Sequence, residues 1–211
     1  MKKKSLTILC GLFLCMLPFT INAIIVNATT NTNDRILIQN VDIEENGRIV
    51  EEGDNYIVYE KDIKADEFVN ENENVPSLYM WAGYSLRNIK TNGTTTDYNR
   101  VVSSDDVSAG SSFTFKVSTS ATTSVSGVYS ISAAEFNSKV GLNYSATVTV
   151  SKSNTTSCPK TLNGKKVKQC TVTFYPKYQK YKFDEYFLGM KTGSGTAKVL
   201  VGFTQKVTYK F

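Results

Sequence analysis

Few residues of this chain have types and spacing that could do chemistry, and what is missing narrows the options first. The 211 residues include no histidine, which removes Ser–His–Asp and Cys–His nucleophile activation and histidine-ligated zinc. Of four cysteines, Cys10 and Cys15 lie in an apolar N-terminal run without the small preceding residue of a lipoprotein site, which leaves Cys158 and Cys170. Eleven residues separate these two, with Asn163-Gly164 near the middle, and Asn-Gly is a strong hairpin-turn signal. A hairpin with a one-residue bulge there sets Cys158 opposite Cys170. The expectation is one disulfide stapling two adjacent strands, worth roughly 2–3 kcal/mol by loop closure, with two free thiols as the alternative. Carboxylate pairs can hydrolyse glycosides. Outside the acidic N-terminal part, however, only Asp97, Asp105, Asp106, Glu135, Asp184 and Glu185 remain. Asp105-Asp106 and Asp184-Glu185 are sequence neighbours, and neighbours on a strand face opposite sides. No catalytic residue is assigned, and the chain reads as a non-enzyme.

Binding chemistry is better represented. Lys165, Lys166 and Lys168 sit on the cysteine hairpin, and Lys177, Lys180 and Lys182 interleave with Tyr175, Tyr178, Tyr181 and Tyr186. Cations among aromatic rings can grip a polyanion. The partner class expected is an anionic cell-surface polymer or glycan, with the six lysines as the patch and Tyr175 and Tyr178 as aromatic contacts. Nucleic acid is not expected, since no recognition motif accompanies the lysines. The competing reading packs the tyrosines and uses the lysines to keep a sheet edge soluble. No metal or cofactor is expected: the acidic stretch lacks the ordered ligand spacing and central glycine of a calcium loop. Gly193-Ser194-Gly195 falls short of a phosphate-loop pattern and reads as a hairpin turn. Trp81, near Leu78 and Met80, reads as a core plug.

The elements that must position these residues are strands. Residues 111–157 hold 21 Ser or Thr in 47 positions, alternating with apolar residues, and period-two alternation means strands with one buried and one wet face. Phe113, Phe115 and Val117 share one face. Val125, Tyr129 and Ile131 form a second set, and Leu142, Tyr144, Ala146, Val148 and Val150 line the cleanest strand. Further strands are expected at Val172 and Phe174, at 181–187, at 197–201 and at 207–211. Ser132-Ala133-Ala134-Glu135 is a capping box opening a two-turn helix that Gly141 can end. Residues 90–98 read as a hydrophilic turn around Asn92-Gly93. The fold expected is all-β: an antiparallel β-sandwich, immunoglobulin-like or a related small barrel, with one short connecting helix and one hairpin disulfide.

Three segments follow. Residues 1–28 have the basic start and interrupted apolar run of a secretory signal peptide, cleaved after Ala23 or Ala28. Residues 29–77 form an acidic, partly ordered extension with one or two edge strands, at Ile36 to Ile38 and Tyr56 to Tyr59. Residues 78–211 form the sandwich. Residues 29–80 carry 13 acidic and four basic side chains, and residues 81–211 carry 17 basic and six acidic ones. That asymmetry suggests an intramolecular contact between extension and domain.

The runs SVSGVYSISAAEFNSKVGLNYSATVTVSKS, TVTFYPKYQKYKFDEYF and KTGSGTAKVLVGF, preceded by MWAGYSLRNIK, resemble small exported proteins of Gram-positive bacteria. The likeness spans residues 80–211. It implies a secreted, extracellular or wall-associated β-rich protein and carries no catalytic or ligand residues. Two functions fit the alternation. The leading one is a secreted binding or structural sandwich at an anionic surface. The alternative is a membrane-active toxin whose β-hairpin lines a pore, serine and threonine inward and apolar residues toward lipid, with 129–131 and 142–150 as its arms.

Overall fold

A row of alternating apolar residues on one sheet face needs a second layer to cover it. The computed structural model shows how the layers form. It describes residues 47–69, 83–129, 131–142 and 145–211, all within the compact unit Asn33–Phe211. The signal-peptide segment, the strand expected at 36–38, Trp81 and Tyr144 lie outside the described residues.

The described residues form twelve strands and one helix, in order. β1 (Gly47–Gly53), β2 (Tyr56–Lys64) and β3 (Glu67–Val69) come from the acidic segment. β4 (Tyr84–Thr96), β5 (Ser103–Ser108), β6 (Ser112–Thr122) and β7 (Ser124–Ser126) precede helix α1 (Ala133–Lys139). β8 (Thr147–Ser157), β9 (Thr161–Leu162), β10 (Lys165–Lys166), β11 (Gln169–Phe187) and β12 (Met190–Lys210) complete the chain. The larger sheet runs β1-β2-β12-β11-β4, with β5 also pairing β11 and β7 pairing β12. The smaller runs β3-β8-β6, and β9 and β10 form a hairpin of their own. All pairings are antiparallel, and the described strands form no closed barrel. The fold is a sandwich-like antiparallel β structure with one short helix.

The core lies between the layers. Phe115, Val117, Val148 and Val150 of the smaller sheet meet Val172, Phe174, Val201, Phe203 and Val207 of the larger, and the Phe115 and Phe174 rings lie 5.2 Å apart. Helix α1 forms as its capping box dictates. Ser132 Oγ accepts from Glu135 N at 3.2 Å, and Glu135 Oε2 accepts from Ser132 N at 3.1 Å. The helix buries Phe136 and the following Val140 completely, with Phe136 against Tyr181 and Phe183.

Several local expectations change. Residues 47–69 of the acidic segment are built into the sandwich, and β2 is interior to the larger sheet, paired along its length with β12. The domain therefore begins well before residue 78. Asn92-Gly93 is no turn: it lies inside β4, where a register irregularity opposite Gln179 and Tyr181 absorbs it and Gly93 takes φ 70°. Gly193-Ser194-Gly195 lies inside β12. The turn there is Leu188-Gly189, both residues at positive φ, between the paired Phe187 and Met190. The strand expected from residue 142 begins at Thr147. Asn163-Gly164 does turn a hairpin, with φ of 50° and 77°, but its arms are only the two-residue β9 and β10. The Cys158–Cys170 disulfide is present. Cys158 follows β8 and Cys170 belongs to β11, so the bond ties the two sheets together instead of two arms of one hairpin.

Candidate functional site

The longest regular feature of the Ser/Thr-rich stretch is the pairing of β6 with β8, eleven residues each, from Ser112↔Ser157 to Thr122↔Thr147 without a register break. Alternation makes its two faces unlike. Outward, hydroxyls pair across the strands: Ser112 with Ser157 at 2.7 Å, Thr114 with Thr155 at 2.8 Å, Ser120 with Thr149 at 2.6 Å and Thr122 with Thr147 at 3.3 Å. Such cross-strand pairs hold register on a wet face. Inward, Phe115, Val117, Val148 and Val150 are buried. The paired arms of this hairpin are therefore 112–122 and 147–157; of the arms expected at 129–131 and 142–150, only 147–150 belongs to it.

Between these arms, residues 123–146 form an insert folded back over the larger sheet. Its first piece, β7, pairs with β12 at Ser126↔Thr196, Val125↔Ala197 and Ser124↔Lys198. The approach is close. A Cβ on Gly195 would stand 2.7 Å from the Ser126 carbonyl oxygen, and one on Gly127 would stand 2.2 Å from Glu185 Oε1. Glu185 fastens the next piece. Its side chain is fully buried, and its carboxylate accepts from Val128 N at 2.8 Å, Tyr129 N at 3.3 Å and the Tyr84 hydroxyl at 3.2 Å. Burial and then the Glu185 charge push the Tyr84 hydroxyl well above its ordinary range. Helix α1 is the third anchor, through Phe136 and Val140.

The β6–β8 sheet has two edges, and each carries a small cover. On β8, strand β3 pairs Glu67, Phe68 and Val69 with Ser151, Val150 and Thr149. Asp66 extends that cover, accepting from Lys152 Nζ at 2.6 Å and Ser153 N at 3.1 Å; these bonds hold its carboxyl below the usual range. On β6, Arg100 Nη2 donates to Ser120 O and Thr119 Oγ1, both at 2.9 Å.

The six lysines expected as one patch are spread along the molecule. Lys165, Lys166 and Lys168 are exposed near the β9–β10 hairpin, and two of them donate to main-chain oxygens, Lys165 to Asp54 and Lys168 to Phe211. Lys177 is buried and pairs with Asp62 at 2.6 Å. Lys182 is exposed and lies about 45 Å along β11 from Lys168 at the rise of a strand. It helps line an open cleft with Lys90, Asn92 and the insert residues Ser126 and Val128. Tyr175 packs edge-to-face on Tyr98 at 5.3 Å, and Tyr178 packs against the core. Three of the candidate acids bond within the framework. Asp184 is held down at about 2 by Asn88, Lys191 and Ser194, Asp106 accepts from Thr171, and Glu135 caps α1.

Sequence reasoning counted Glu185 among the remaining acids but missed its role in holding the insert. Its signal was parity: it shares the alternate positions of Tyr181 and Phe183, which are buried. Among the described residues no group of side chains could hold a metal ion, and no helix is long and apolar enough to cross a membrane. Comparison with known proteins finds no family model and no curated protein that matches the chain.

Proposed function

We propose that this is an exported pore-forming protein whose membrane segment is the 123–146 insert, stored in a folded-back state. One observation carries the reading. Paired residues of β6 and β8 sum to 269 in number, and continuing that register through the insert sorts its side chains by polarity. The hydroxyl-bearing face of β6–β8 would continue through Ser124, Ser126, Val128 and Ser132 on one arm and Asn137, Lys139, Gly141 and Ser145 on the other. The buried face would continue through Val125, Tyr129, Ile131 and Ala133, and through Phe136, Val140, Leu142 and Ala146. Each new arm has 11 residues, 123–133 and 136–146, and a membrane strand needs about 9–11. A pore hairpin requires this division, polar toward the lumen and apolar toward lipid. Thr123, Gly127 and Ser138 are the weak positions on the lipid face.

This reading uses the alternation that the anionic-surface reading leaves idle, and the spread of the lysines weakens the latter. The test is leakage of dye-loaded liposomes together with detergent-resistant oligomers. Dye release and oligomers are expected from the purified protein. A disulfide between Ser126→Cys and Thr196→Cys, which pins β7 to β12, should abolish both until it is reduced. Leakage that persists with the insert pinned would overturn the proposal.

A further inference from the structure

We infer that copies of this chain join through the edges of the β6–β8 sheet, β6 of one copy adding to β8 of the next, and that β3 is a removable cover on that β8 edge. The inference rests on the membrane reading above and names its partner, a second copy of the same chain. Two strands inserted in lipid have two open edges, and no unpaired backbone is tolerated there, so barrels that span a membrane are closed. One hairpin cannot close. A neighbouring copy supplies a strand of the same eleven-residue length with the same alternation of hydroxyl and apolar side chains.

The structure shows both edges ready for this. Among the described strands β6 is the last of its sheet, guarded at Ser120 and Thr119 by the Arg100 guanidinium. Among the described residues, the outer edge of β8 is paired to β3 at three of eleven positions, with Asp66 reaching Lys152 and Ser153 beside them. A longer strand could replace so short a cover and return every ladder bond it removes. β6-to-β8 addition is head-to-tail, a geometry that closes into a ring when the rotation per copy allows.

The test locks the cover in place. Glu67 and Ser151 are paired directly and lie on the outer face. In the full chain, Glu67→Cys with Ser151→Cys should form a disulfide that mild reductant reaches, whereas Cys158 and Cys170 are buried at 1% and 0% exposure. The readouts are detergent-resistant oligomers and dye release on liposomes. The oxidised variant should lose at least tenfold in both, and mild reduction should restore both to the level of wild type treated alike. If the oxidised lock assembles as well as wild type, or if reduction does not restore assembly, the inference is overturned while the membrane reading stands. If wild type itself neither leaks nor assembles, the membrane reading fails and this inference falls with it.

Discussion

Replacing Glu185 with glutamine should loosen the insert while leaving the rest of the sandwich in place. The carboxylate receives two insert N–H groups, from Val128 at 2.8 Å and Tyr129 at 3.3 Å, besides the Tyr84 hydroxyl. A hydrogen bond to a charged group contributes about 1.5–3 kcal/mol. Glutamine keeps one acceptor oxygen but turns an NH2 toward the remaining N–H, so roughly one such bond is lost, about 2 kcal/mol. At about 1.4 kcal/mol per tenfold, the insert should open some thirtyfold more often. Hydrogen exchange by mass spectrometry reads this directly: peptides covering 124–131 should exchange faster, while β11 and β12 away from the site keep their protection. The Tyr84 hydroxyl should also titrate lower once the neighbouring charge is gone. Under the membrane reading, the variant releases dye faster at equal dose. Unchanged exchange at Val128 and Tyr129 would refute the clasp. So would exchange that rises equally through β11 and β12, which would mark general destabilisation instead of local release.

Asp62→Ala leaves Lys177 as a buried cation without its carboxylate, and should cost about 3 kcal/mol, a fall of roughly 6–12 °C in Tm by calorimetry. Removing both Cys158 and Cys170 should cost roughly 2–4 kcal/mol in urea unfolding, because the bond joins the two sheets. Phe136→Ala empties a fully buried site and should cost about 3–5 kcal/mol by the same measurement. Asp66 and Asp184 are both held below the ordinary carboxylate range. Their contribution is therefore complete above the unfolded value near ~4 and is lost as pH falls toward the depressed ones, about 2 for Asp184. Stability should decline over that window, and Asp66→Asn should shallow the decline.

Legibility in the sequence followed the range of the interaction. Ser132 and Glu135 cap a helix through bonds three residues apart, and Asn163-Gly164 turns a hairpin by its own backbone preferences, so both could be read locally. Asn92-Gly93 has the same composition as a turn but is held in β4 by pairing with β11, some 85 residues away in sequence, a constraint no local pattern records. The lysine patch failed for a related reason. Up to Pro176 the buried positions of β11 are even-numbered, a bulge lies between Lys177 and Tyr178, and from Lys177 onward they are odd-numbered. The unpaired residue of that bulge is Val201 of β12, so β11 keeps its own alternation and its buried side passes to the other face of the sheet, which takes Lys177 inside and leaves Tyr178 partly out. Asp184 and Glu185 were expected on opposite faces, and they are. The role of Glu185 was illegible because its donors, Val128 and Tyr129, are nearly 60 residues distant.

The position of β12 has a consequence for the order of folding. β12 is flanked by β2 and β11, and its partner β2 lies more than 130 residues earlier. While β12 is still being synthesised, the larger sheet has no middle, and β1 and β2 have nothing to join. Contacts this distant in sequence make folding slow. The larger sheet therefore stays open until β12 arrives, and the Ser/Thr arms, complete some fifty residues sooner, are the part that can pair first.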